Sequence, residues 1–138
     1  MKTKPIQKMV HESYWTHDTN CAGTTLTVLS TLHDLPLDTQ VMHASIGMHG
    51  AGRFRAQCGL VEGTLMFLGM LGTAQGKTPE AITENCFQFA AGFTERFGSL
   101  SCSVLRPGGF TPDDAPHQCE GLTVEAITFA SAFIEGLE

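Results

Sequence analysis

The chain has 138 residues, 42% hydrophobic and only 16% charged, and its 8 Lys+Arg against 14 Asp+Glu leave a formal net charge of −6. That length fits a single domain over residues 1–138, with enough apolar side chains to bury a core without disulfide staples. The acidity argues against nucleic acid or an anionic membrane as a partner, and the apolar content excludes intrinsic disorder.

Hydrophobic periodicity is helical wherever it is clear, and no run alternates as a half-buried strand would. The expected fold is therefore all-α, a compact single-domain bundle of about five helices. The first fifteen residues carry Lys2, Lys4 and Lys8 but no apolar h-region of the kind a signal peptide needs, so a cytoplasmic location is expected. A first helix is expected to start near Asp18 or Thr19, whose side-chain oxygens can accept from free N–H groups, and to end by about His33, before Pro36. Tyr14 and Trp15 would then precede it as an apolar lid. A second helix is expected from Asp38 to about Ile46, ending in a stretch that holds Gly47, Gly50 and Gly52. A third covers Gln57 to Leu71, with Gly72 as its cap. Its apolar run from Leu60 to Leu71 includes Glu62 and is too short for a membrane span of about 20 residues.

Thr78, Pro79 and Glu80 give the fourth helix an N-cap, a first-turn proline and an acid against the helix dipole, and Gly98 closes it. From Ser99 to Gln118 the chain holds Pro107, Gly108, Gly109, Pro112 and Pro116. This is a long Pro/Gly-rich connection with room only for a short helix at Cys102 to Leu105. A last helix is expected from Cys119 to Gly136.

Five cysteines remain to be explained. In a reducing compartment such residues are free thiols, metal ligands or redox centres rather than staples. None forms the close pair that marks zinc fingers and ferredoxins. Their helical register says more. Cys21 heads the first helix above Thr25, Val28 and Leu32; Cys58 opens the third above Val61, Leu65 and Leu68; Cys119 heads the last above Leu122, Ala126, Phe129 and Phe133. Three thiols thus face inward at helix N-termini, where the dipole and unpaired N–H groups favour the thiolate. Arg53 and Arg55 before Cys58, and Arg106 after Cys102, could strengthen that effect. Cys86 instead continues the mid-helix stripe Ile82, Phe89, Phe93 and reads as packing.

Two of the six histidines lie near cysteines in sequence, His49 in the glycine stretch and His117 two residues before Cys119. Each is a candidate metal ligand, proton carrier or donor to sulfur. The stretch from Gly47 to Arg53 lacks the preceding strand and the Gly-Lys-Ser/Thr ending of a phosphate cradle, so it reads as a tight connection. Gly59 and Gly63, four apart on one face, permit close helix packing. No carboxylate pair, serine triad or metal-hydrolase motif is present, and no catalytic residue is assigned.

Asn20-Cys21-Ala22, then Cys58-Gly59-Leu60-Val61-Glu62-Gly63, then Phe97-Gly98-Ser99-Leu100-Ser101-Cys102 and a final Cys119 resemble the C-GCAxxG-C-C family of redox-active proteins, from about Tyr14 to Ile134. Leu60 stands where that family more often has alanine, and no glycine precedes Cys21. The family is also similar to the cluster-binding part of split-Soret cytochrome c. The resemblance implies an iron–sulfur cluster held by Cys21, Cys58, Cys102 and Cys119, serving electron transfer to a protein partner. Covalent haem is not expected, because there is no CxxCH site. Two other functions draw on the same cysteines: metal-free thiol–disulfide chemistry, and a structural zinc site in an adaptor module. The surplus of apolar helix face is also compatible with a homodimer.

Overall fold

A computed structural model describes residues 3–106 and 119–137, apart from the side chain of Thr3. Most of the connection expected between Ser99 and Gln118, with its prolines and His117, lies outside the described residues. The elements are α1 (Thr3–Trp15), α2 (Cys21–Leu32), α3 (Thr39–Ala44), α4 (Gly50–Arg53), α5 (Gly59–Ala74), α6 (Pro79–Phe97), α7 (Cys102–Leu105) and α8 (Glu120–Gly136). Among the described residues there is no strand, only one antiparallel bridge between Gln57 and Ser101. The protein is all-α, and no described helix is long and apolar enough to cross a membrane.

Local chemistry accounts for the starts of α2 and α6 and for the end of α6. Asn20 caps α2, its side-chain oxygen accepting from the Gly23 N–H at 2.8 Å. Asp18, expected near that start, instead takes a left-handed turn at φ 49°. Thr78 caps α6 by accepting from the Ala81 N–H at 3.2 Å, and Gly98 closes it at φ 92°. Gly72 does not end α5, which runs on to Ala74. A Cβ at Gly72 would stand 2.5 Å from Ile82 Cγ1, so this glycine admits α6 rather than capping α5. The short α4 is a tight connection in substance, because Ala51 and Gly52 take φ of 55° and 65°.

One helix is absent from the sequence-based expectation. In α1, Ile6, Val10 and Tyr14 recur every four residues and are all buried. Tyr14 is therefore part of the core and not a lid, while Trp15 stays half-exposed.

The principal contact is between α2 and α5; α1 lies on α8, and α6 on α5. Gly63 lets the first pair approach, since a Cβ there would meet the Ala22 carbonyl oxygen at 2.7 Å and Thr25 Cβ at 2.9 Å. One core of buried side chains, including Val10, Leu26, Val61, Phe67, Phe89 and Ile127, draws on α1, α2, α5, α6 and α8. Phe89, Phe93 and Phe97 of α6 stack with Phe129 and Phe133 of α8. The buried face of α8 is Thr123, Ala126, Ile127, Ala130 and Ile134. It is rotated from the expected stripe because the two phenylalanines turn toward α6.

Candidate functional site

The four cysteines singled out by the resemblance stand at the starts of four different helices. Cys21 is the first residue of α2, Cys58 the N-cap of α5, Cys102 the first residue of α7 and Cys119 the N-cap of α8. Backbone bonds bring the second and third together. The Cys58 N–H donates to the Leu100 carbonyl at 2.8 Å, and the Cys102 N–H to the Ala56 carbonyl at 2.7 Å, on either side of the bridge between Gln57 and Ser101. Glycines bring in the rest. A Cβ on Gly59 would overlap the Cys21 sulfur, and one on Gly50 would lie 3.4 Å from the Cys102 sulfur. Cys119, at the start of α8, lies near enough to Cys21 and Cys58 for a charge on its sulfur to act on both.

All five cysteines are free thiols. Burial pushes Cys21 up to about 12, and the other three sulfurs add to it, while the Ala22 N–H pulls weakly the other way. Burial likewise pushes Cys58 up to about 11 against the N–H groups of Leu60 and Val61. Cys102 and Cys119 are also raised by burial, with Arg106 opposing the rise in both and Arg55 opposing it at Cys102. The expectation that helix N-termini make these residues thiolates is thus overturned for the metal-free protein. The N–H groups are there, but desolvation of the charged form outweighs them. Cys86, half-buried on α6, is raised by burial alone and feels none of the other four.

Of the two candidate histidines, His117 lies outside the described residues. His49 Nδ1 accepts from the Asn20 side-chain amide at 3.1 Å, and the same amide donates to the Ile46 carbonyl at 2.8 Å. His49 is thereby tied to the cap of the Cys21 helix and holds the glycine loop beside it. Among the described residues, no group of three or more His, Cys, Asp or Glu is arranged to hold a metal ion.

The sequence offers Tyr14 only as a lid over the site, whereas the structure places it in the core. Its phenol is pushed above the usual range, first by burial and then by the charge of Cys21, with Cys119 and Cys58 adding to the effect. The signal that could have found it is the four-residue spacing from Ile6 through Val10. An open apolar groove of about 640 Å³, lined by Leu35, Val41, Met66 and Met70 among others, includes none of the cysteines.

Together these features define an all-α protein with four cysteines at helix starts, Cys58 buried and Cys21, Cys102 and Cys119 partly so. The chain belongs to the family described as "Putative redox-active protein (C_GCAxxG_C_C)", whose model matches residues 19–133. No curated protein and no solved structure matches it.

Proposed function

We propose that the protein is an electron carrier in which Cys21, Cys58, Cys102 and Cys119 hold an iron–sulfur cluster. What supports this reading is that four thiols from four helix starts lie near enough for their charges to act on one another, while no three of them stand in a metal-holding arrangement in the metal-free chain. The donor set suits the group, because cysteine thiolates are the usual ligands of such clusters. Four thiolates brought close together repel one another and need positive charge among them, which iron would provide. When bound, the cluster supplies one-electron oxidation and reduction.

The chain's own part is to hold the sulfurs and balance their charge. The N–H groups of Leu60 and Val61 donate to the Cys58 sulfur and that of Ala22 to the Cys21 sulfur, which favours their anionic form. Arg106 acts on Cys102 and Cys119, and Arg55 on Cys102, in the same sense. Leu60 and Val61 are buried beside Cys58 and keep water from that sulfur.

Metal-free disulfide chemistry would draw on the same thiols, two of them releasing two protons and two electrons to an acceptor as the S–S bond forms. That reaction starts from a thiolate. Burial leaves Cys21 and Cys58 almost wholly protonated at neutral pH in the metal-free protein, which slows that attack.

Anaerobic reconstitution with ferrous iron and sulfide tests the proposal. The expected product is coloured, contains both elements and bleaches reversibly on reduction. Cys21→Ser or Cys119→Ser should lose the colour and Cys86→Ser keep it. A colourless, iron-free product would overturn the cluster; zinc bound in stoichiometric amount with no redox response would replace it with the adaptor reading.

A further inference from the structure

Helix α1 lies outside the stretch matched by the family model, yet three of its side chains converge on the start of α8, where Cys119 stands. At the surface, His11 Nδ1 lies 2.9 Å from one carboxylate oxygen of Glu120, and the Trp15 indole N–H donates to the other at 2.6 Å. Beneath them, the Tyr14 hydroxyl is 2.7 Å from Thr123 Oγ1, and Tyr14 is only 3% exposed. The direction of that bond follows from the next one. Thr123 Oγ1 donates its single proton to the Cys119 carbonyl at 2.8 Å, so toward Tyr14 it is the acceptor and the phenol is the donor. The chain Tyr14–Thr123–Cys119 thus ties α1 to the backbone of a centre cysteine. The phenol also lies close enough to Cys21, Cys119 and Cys58 to sense their charge.

We propose that Tyr14 is a positioning residue of the cysteine centre, holding Cys119 in register with the other three sulfurs through Thr123. This rests on the reading of the four cysteines as one centre. A phenylalanine would fill the same core space, so the packing contribution of the ring is separable from that of the hydroxyl. Removing the hydroxyl frees Thr123 to leave the rotamer in which it bonds the Cys119 carbonyl. The first turn of α8 then opens more often, and the Cys119 sulfur is presented to solvent.

The test is the alkylation rate of each cysteine by iodoacetamide in the reduced, metal-free full chain, read peptide by peptide, with Cys86 as internal reference. Tyr14→Phe should raise the rate at Cys119 relative to Cys86 about three- to tenfold, the opening expected when one hydrogen bond of ordinary strength is lost. Thr123→Val should reproduce that rise. Thr123→Ser, which keeps the oxygen, should retain the parental ratio. An unchanged ratio in Tyr14→Phe would overturn the proposal, as would a Thr123→Ser that behaves like Thr123→Val. A rise at Cys86 equal to that at Cys119 would also overturn it, since that is general loosening of the fold. No iron is involved, so failure of cluster reconstitution leaves this result standing, and failure here leaves the reconstitution result standing.

Discussion

Gly59 and Gly63 lie four residues apart on α5, and both face α2 across a gap that admits no side chain. Gly63→Ala would force its Cβ to within 2.7 Å of the Ala22 carbonyl oxygen, neither partner being the free end of a flexible chain. A loss of about 1–3 kcal/mol in urea unfolding is expected, as for other overpacked cores. Gly69→Ala on the same helix meets nothing within 4 Å, and should instead gain up to about 1 kcal/mol from helix propensity. The buried thiols give a second expectation. Their folded-state values lie above the ordinary 9.0, near 12 for Cys21 and 11 for Cys58, so the folded chain keeps protons that the unfolded chain releases. Their contribution is complete below pH 9 and is lost as pH rises toward those values. The urea midpoint of the reduced, metal-free protein should fall between pH 8.5 and 10.5, and fall less in Cys21→Ser/Cys58→Ser; equal slopes would contradict it. The placement of these cysteines at helix starts was legible because caps and register are local. Their protonation was not, because desolvation depends on which distant helices close over the sulfur, and no spacing in the sequence records that.

At the scale of elements, the best-signalled helix is α6, whose Thr78, Pro79 and Gly98 act locally and do in the structure what their chemistry dictates. Helix α1 carries no such punctuation. No acid stands in its first turn and no base in its last, and three buried apolar positions among polar neighbours make a weak stripe. Its stability comes from packing on α8 and α2, which a local reading cannot supply. Ile6 is fully buried, so Ile6→Ala should cost about 2–5 kcal/mol if α1 belongs to the same cooperative unit as the rest. The only tryptophan, Trp15, ends this helix and bonds Glu120 of α8, which makes its fluorescence a reporter of that contact. Fluorescence and far-ultraviolet circular dichroism should give coincident urea transitions in the parent chain. An earlier fluorescence transition would mean that α1 undocks on its own. The helix-start positions of the four cysteines were likewise legible, but the contacts around them were not, since Tyr14, Thr123 and Glu120 act only through helix pairs that are distant in sequence.

Over the whole molecule, the cysteines of the centre are not spread evenly among well-anchored elements. Cys21, Cys58 and Cys119 begin the long helices α2, α5 and α8, which share the hydrophobic core, whereas Cys102 begins the four-residue α7, which buries no residue. What holds α7 in place is the pair of backbone bonds between residues 56–58 and 100–102, together with the half-buried Leu100 and Leu105 against the core. The facing segment is conformationally costly, because Ala51, Arg53 and Arg55 all adopt positive φ. A cofactor bound through all four sulfurs would join this weakly held edge to the core, and binding to the folded state alone stabilises whatever must be ordered to bind. Loading with iron and sulfide should therefore raise the melting temperature. In hydrogen exchange the protection gained should be greatest at residues 50–56 and 99–106 and smallest in α6, whose Cys86 takes no part. Cys102→Ser should abolish the gain at that edge while leaving the exchange of α2 and α5 in the unloaded protein unchanged. Equal protection across all helices would mean that the four sulfurs do not bind as one site.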